Sequence, residues 1–177
     1  WRSHLPDGLG RVVGLGMNAE EMAANPQLDD WVIHDLNREP RLPFPDACAD
    51  LVTSMDVIEH LDDGAALADY HRVVRPGGKL LLTVPAYQWL WSDHDVWAAH
   101  LRRYNRSTLV AAVERSGFHP RRVTYFNSFL VPPAAVLRRT PARHLVKGEQ
   151  DEVGAASPAV DRVMTGLATL ERRWARH

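Results

Sequence analysis

The sequence predicts an α/β domain built on a mostly parallel sheet with helices on both faces. Three observations carry this expectation. Short β-branched or apolar runs alternate with segments of helical period, the order from which parallel sheets are made. One of the runs, Lys79 to Val84, is nearly all apolar, the pattern of a strand buried on both faces. The length of 177 residues gives room for one ordinary domain with a sizeable core.

Arg11 to Leu15 is the first strand candidate, and it ends at Gly16 before a helix start. There Asn18 can cap the helix while Glu21, three residues on, reaches back to it, and Asn25-Pro26 stops the helix. Trp31 to His34 is the second strand, followed by a loop rich in proline and charge from Asp35 to Pro45, and Leu51 to Met55 is the third. The acidic pair Asp62-Asp63 suits the positive end of the next helix, whose stripe is Leu67, Tyr70, Val73 and Val74. Pro76-Gly77-Gly78 ends that helix and turns the chain into the strand at 79–84. Another helix runs from about Arg106, behind Asn105, with Leu109, Ala112 and Val113 on one face, and stops at Gly117; Arg121 to Phe126 is the fifth strand. This α/β domain spans 1–140. Residues 141–157 read as a linker or surface loop, and 158–177 as an amphipathic helix packing on the same domain, with Ser157 as its cap and Pro158 at its first position.

The formal net charge of -1 conceals a split: residues 1–99 carry 7 basic and 16 acidic side chains, a balance of −9, and residues 100–177 carry 14 and 6, a balance of +8. A uniformly basic nucleic-acid binder is disfavoured, and no nucleic-acid partner is expected. Cys48 is alone, so an intrachain disulfide framework and a multi-cysteine metal site are excluded. The longest apolar stretch, Phe126 to Leu137, falls short of the roughly 20 residues of a membrane span, and no leader pattern opens the chain. A soluble, cytoplasmic protein is expected.

In parallel sheets ligands bind beyond the carboxyl ends of the strands. Gly14-Leu-Gly-Met-Asn18 offers glycines for close backbone approach and a helix N-terminus, or forms a tight strand-to-helix turn. It fails as a dinucleotide fingerprint because Ala19 stands at the third glycine position. Asp35 can accept from an exocyclic amine while the Leu36 amide donates to a ring nitrogen, together recognising adenine, or it can cap the next turn. Met55 to His60 gathers Asp56, Glu59 and His60 at a strand end, where His60 serves as a base or bonds within the turn. The densest constellation is Trp89 to Trp97 with His100, Arg102, Arg103 and Tyr104. It reads as an aromatic-lined substrate lid, with His94 or His100 as base and Arg103 as anion anchor, or as structural packing. A metal reading of Asp93, His94 and His100 lacks a familiar ligand spacing, and no metal is expected. Neither a nucleophile elbow nor a phosphate-binding loop is present.

In order, Leu42-Pro-Phe-Pro-Asp46, Asp50-Leu-Val52, Asp56-Val-Ile-Glu-His60 and Arg75-Pro-Gly-Gly78 with its apolar strand resemble the class I S-adenosylmethionine-dependent methyltransferases of the ubiquinone/menaquinone-methylase-like type, the methyltransferase type 11 family. Ser116-Gly-Phe118 also suits that family, and the resemblance covers residues 11–127. It implies a Rossmann-like sheet, S-adenosyl-L-methionine as cofactor and a small-molecule or lipid-like methyl acceptor. It places Gly14, Gly16 and Asn18 beside the ribose and methionine, Asp35 and Leu36 beside adenine, and Met55, Asp56 and Val57 beneath the adenosine. His60 and the segment with His94, His100, Arg103 and Tyr104 would face the acceptor. Within these 177 residues the family's first strand with its glycine-rich loop and its last strand are not found, so an incomplete seven-stranded methyltransferase fold is expected, from an excerpt of a longer protein or from a sheet that pairs new neighbours. Gly16 also stands where an acidic residue usually grips the ribose, and Ala49 where an aromatic is usual.

The expected activity is methyl transfer. An interaction module derived from a degenerate methyltransferase-like domain is the alternative, and a nicotinamide-dependent oxidoreductase a third, weaker one. The charge split predicts an Arg-rich face around Arg102, Arg103, Arg106, Arg138 and Arg139, suited to an anionic acceptor or to peripheral contact with an anionic membrane.

Overall fold

The computed structural model describes residues 10–126 together with Ser128, Val131 and Gly166. The linker expected at 141–157, the helix expected at 158–177 apart from Gly166, and Arg138 and Arg139 lie outside the described residues. The chain divides into two compact units, Trp1–Val84 with Ala112–Phe118, and Pro85–Ala111 with His119–His177.

The first unit holds two strand–helix–strand repeats. Strand β1 (Val13–Gly16) pairs in parallel with β2 (Asp30–Ile33), Gly16 opposite Ile33 at the carboxyl ends. The connecting helix α1 (Ala19–Ala24) starts as its sequence requires: Asn18 Oδ1 accepts from the Glu20 and Glu21 amides at 3.0 and 3.4 Å, and Asn18 Nδ2 donates to Glu21 Oε1 at 3.0 Å. Strand β3 (Ala49–Met55) pairs in parallel with β4 (Val74–Thr83), Met55 opposite Thr83, and α2 (Asp63–Val73) packs on β4. Asp62 caps α2 by accepting from the Ala65 amide at 3.0 Å, and Ala66, Leu67, Tyr70 and Val73 are its buried stripe. In that core the Ser54 and Tyr70 hydroxyls are 3.2 Å apart.

Arg72, in the last turn of α2, ties down the proline-rich loop. Its guanidinium donates to both oxygens of Asp69, to Asp46 Oδ1 and to the carbonyls of Phe44 and Leu42, while the Leu42 amide donates to Asp69 Oδ2 at 2.6 Å. Burial by itself would raise the pKa of Asp69, but the bonds from Arg72 and the Leu42 amide outweigh it and hold the carboxyl below its usual range.

Four expectations are corrected. Strand β4 begins at Val74 and runs through Pro76-Gly77-Gly78, where a register irregularity between Ala49 and Leu51 absorbs the glycines; it does not begin after them. It is not buried on both faces either: Leu81 is 51% exposed, and Leu51, Thr53 and Met55 of β3 lie exposed with it. The inner face carries Ser54, and among the described residues no layer covers the Leu51–Leu81 face. The β1–β2 and β3–β4 pairs form two ladders and not one sheet. Residues 121–126 form no strand, because a strand exists only through a hydrogen-bonded neighbour.

The second unit begins with Pro85. A parallel bridge joins Ala86 to Tyr104, with Tyr87 N donating to Tyr104 O at 2.7 Å and Tyr104 N to Pro85 O at 2.9 Å. In the excursion between Tyr87 and Tyr104 lie a 3-10 turn (Gln88–Leu90) and the short helix α3 (Asp93–Trp97). Helix α4 (Arg106–Arg115) starts in this unit; its Arg106 amide donates to the Tyr125 hydroxyl, and the Tyr125 ring stacks on Tyr87 with centroids 4.9 Å apart.

Candidate functional site

The carboxyl ends of the strands in the first unit carry the expected cofactor residues. Gly14 and Gly16 lie against α1: a Cβ at Gly14 would stand 2.4 Å from Met22 Cε and 2.5 Å from Leu28 Cδ1, and one at Gly16 would stand 2.7 Å from Met22 Sδ. Their missing side chains therefore serve close helix–strand packing, and the side chain of Asn18 is engaged in the α1 cap. Asp35, directly after β2, caps its own turn, accepting from the Asn37 amide at 3.0 Å with Oδ1 while Oδ2 stands 3.4 Å from Arg38 Nε. Leu36, next to it, is half-buried.

At the end of β3, Asp56 takes a left-handed conformation, φ 51°, and its amide donates to Thr83 O at 3.1 Å. After glycine, aspartate and asparagine take that backbone at least cost, and the turn it makes leaves Met55 and Asp56 exposed and Val57 half-buried. Met55 and Val57 thus offer apolar surface beside the Asp56 carboxylate at the end of β3, while Asp35 and Leu36 follow the end of β2. His60 closes the following 3-10 turn (Ile58–His60), its Nε2 3.9 Å from Oε1 of the buried Glu59.

In the second unit the Trp-rich segment is organised around one carboxylate. Asp95 is fully buried. Its Oδ1 takes His100 Nδ1 at 2.9 Å and Arg103 Nε at 2.6 Å; its Oδ2 takes Arg103 Nη2 at 3.0 Å, the Ser92 amide at 2.8 Å and the Ser92 hydroxyl at 3.0 Å. Burial by itself would raise the pKa of Asp95, but the bonds from Arg103, His100 and Ser92 hold it well below the usual carboxylate range. The bond from the Ser92 amide is one half of a capping box for α3, with Asp95 at its N3 position. Arg103 Nη1 donates to Ala86 O at 3.0 Å, and the Arg103 amide to Gln88 Oε1 at 3.0 Å.

These positions correct one role expected from sequence. Arg103 does not extend toward an external anion: its guanidinium is spent on Asp95 and Ala86 O, and it leaves the Arg-rich face on which it was placed. Arg106 remains exposed. Of the two imidazoles in the segment, His100 is the one brought to the carboxylate. His94 lies outside, exposed, 5.8 Å from the Trp97 ring and 6.4 Å from that of His100. Tyr104 is buried and joins the segment through its backbone bridge. Sequence reasoning counted Asp95 in the constellation without giving it a role; the available signal was Ser92-x-x-Asp95, a helix-start spacing that brings a carboxylate back onto its own cap.

Residues 3–82 match the family model described as methyltransferase domain. A protein of Mycolicibacterium smegmatis named as a probable S-adenosylmethionine-dependent methyltransferase is 28% identical over 176 residues, covering 94% of this chain and 65% of its own length. A ubiquinone/menaquinone biosynthesis C-methyltransferase of Caulobacter vibrioides is 31% identical over 134 residues, covering 60% of this chain and 51% of its own. The chain thus spans about half to two thirds of the length of these curated relatives. Among solved structures, a SAM-dependent methyltransferase from Archaeoglobus fulgidus superposes with a TM-score of 0.53 at 17% identity, over 89% of this chain and 67% of that one, a likeness of fold.

Proposed function

We propose that the chain is a class I S-adenosylmethionine-dependent methyltransferase domain, a reading supported by the match of residues 3–82 to the methyltransferase family model, and that it methylates a small-molecule or lipid-like acceptor. The observation that carries the reading is that family match, together with the exposed Met55 and Asp56 and the half-buried Val57 at the carboxyl end of β3. S-adenosylmethionine supplies a methyl group on a sulfonium centre; Asp35, Leu36, Met55, Asp56 and Val57 would hold it. As the acceptor atom takes the methyl group and S-adenosylhomocysteine leaves, the acceptor gives up a proton, and His60, at the end of the turn that follows Val57 in the same unit, is the candidate that would receive it. Positioning and water exclusion supply the remaining rate, as in-line displacements require.

Val96, Trp97 and Leu101, 67%, 67% and 59% exposed, support a lipid-like acceptor, and the quinone biosynthesis named for the Caulobacter relative accords with it. Calorimetric titration with S-adenosylhomocysteine tests the reading: saturable heat is expected, weakened at least severalfold in Asp56→Ala. Absence of heat at millimolar ligand overturns it and leaves the interaction-module alternative.

A further inference from the structure

We propose that the second unit docks on an anionic lipid bilayer through Val96, Trp97 and Leu101, which enter the headgroup boundary while arginines of the same unit meet lipid phosphates. Neither methyl transfer nor its cofactor enters: the polarity and charge of that unit carry it.

Helix α3 inverts the usual polarity of a surface helix. Its Asp95 is 0% exposed, while the two apolar residues that follow, Val96 and Trp97, are each 67% exposed. The two facts have one cause. Successive helical residues are turned by about 100°, so with Asp95 facing inward the next two side chains face out. Asp95 is held inward by the Ser92 amide and hydroxyl, by His100 Nδ1 and by Arg103 Nε and Nη2. Turning Trp97 inward would pull the carboxylate off these donors, which is costly inside a buried site. Leu101 and Trp89, 59% and 53% exposed, add to the apolar surface of the same segment. Single apolar residues scattered on a surface need no explanation, but a group of them presented around a fixed carboxylate marks a contact surface.

Charge decides what that surface meets. The unit, Pro85–Ala111 with His119–His177, carries 13 basic and 7 acidic side chains, a balance of +6 in a chain of net charge -1. Among its described residues Asp95 and Arg103 cancel one another. That leaves Asp93 against Arg102, which directly follows Leu101, and the exposed Arg106, Arg121 and Arg122. An anionic bilayer attracts such a unit and offers phosphates to its guanidinium groups. Tryptophan suits the boundary between acyl chains and headgroups, its ring apolar and its indole N–H polar. A second copy fits less well, because two units of like charge would be brought together. Nucleic acid also fits less well, because Val96 and Leu101 offer no ring face on which bases could stack.

Co-sedimentation of the full chain with phosphatidylcholine vesicles containing about 30 mol% phosphatidylglycerol, against phosphatidylcholine alone, measures the docking. At low salt the anionic vesicles should bind at least about tenfold more tightly, and added salt should weaken them. Trp97→Ser and Leu101→Ser change exposed side chains, so both variants should fold, and each should weaken binding by about fivefold to tenfold. Brominated acyl chains should quench tryptophan emission, and Trp97→Phe should remove more of that quenching than Trp31→Phe. The proposal is overturned by absence of binding, or by binding that both serine variants leave unchanged, which is adhesion by charge alone. A wild-type dimer that Trp97→Ser dissociates assigns the surface to a second copy and overturns it too. So does polyglutamate bound as tightly as the vesicles and lost equally in Trp97→Ser, which assigns the surface to an acidic protein. Because neither cofactor nor acceptor is added, vesicle binding by a chain that gives no heat with S-adenosylhomocysteine refutes the methyltransferase reading and spares this one, and the reverse pair of results does the opposite.

Discussion

Replacing Arg72 by methionine keeps the length and apolar stem of the side chain and deletes its five donated bonds: two to Asp69, and one each to Asp46 Oδ1, Phe44 O and Leu42 O. The bonds do not count equally. Asp46 is 71% exposed and water replaces its partner, so that bond contributes little. Asp69 is 13% exposed and Arg72 17%, and without the guanidinium the carboxylate keeps only the Leu42 amide. Breaking a buried pair by removing one partner costs about 3–5 kcal/mol; with partial exposure discounted, about 3 kcal/mol is expected for Arg72→Met. Arg72→Lys, a point charge without the fork, should cost about half as much. Removing the stranded charge as well, in Arg72→Met with Asp69→Leu, should cost less than Arg72→Met alone, a coupling of at least about 1 kcal/mol. Urea denaturation followed by circular dichroism measures all three, and hydrogen exchange at Leu42 should accelerate in the first variant. A loss under about 1 kcal/mol for Arg72→Met, or additivity in the double variant, refutes the view that this clamp secures the Leu42–Asp46 loop.

Two further outcomes follow from local geometry. Asp69 and Asp95 have folded pKa values below the unfolded value of about 3.9. Their stabilisation is therefore fully present above about pH 4 and is lost as pH falls through the depressed folded values. The urea midpoint should drop steeply below pH 4, and Asp69→Asn should flatten that drop; an unchanged slope contradicts it. Gly117 has φ 92° and a Cβ there would meet the His71 ring at 3.1 Å, whereas Gly77 has φ 80° and open space around it. Gly117→Ala should thus cost more than the roughly 1 kcal/mol expected for Gly77→Ala from backbone strain alone; equal melting temperatures for the two variants sink that ordering.

Much of the architecture was legible because its causes are local. The cap at Asn18 with Glu21, the cap at Asp62 and the stripe Leu67, Tyr70, Val73 each depend on residues within a few positions of one another, and the structure shows each of them. The series from Leu42 to Gly78 carried the family, and part of its physical basis is now visible: Leu42, Phe44 and Asp46 are partners of Arg72, about 30 residues later.

Strand extents and the acid–base pairing were decided only by the tertiary structure. A strand is a relation between two segments, so Val74 to Gly78 joined β4 because Ala49 lay beside it, and 121–126 did not become a strand because the described chain sets none there. The Trp89–Tyr104 segment held two histidines, two aspartates and two arginines, and composition ranks none of their combinations. Burial does. One carboxylate, Asp95, went inside, and a buried charge must collect every donor within reach. It took Ser92, His100 and Arg103 and left His94 to solvent, and that selection turns a list of titratable residues into a site.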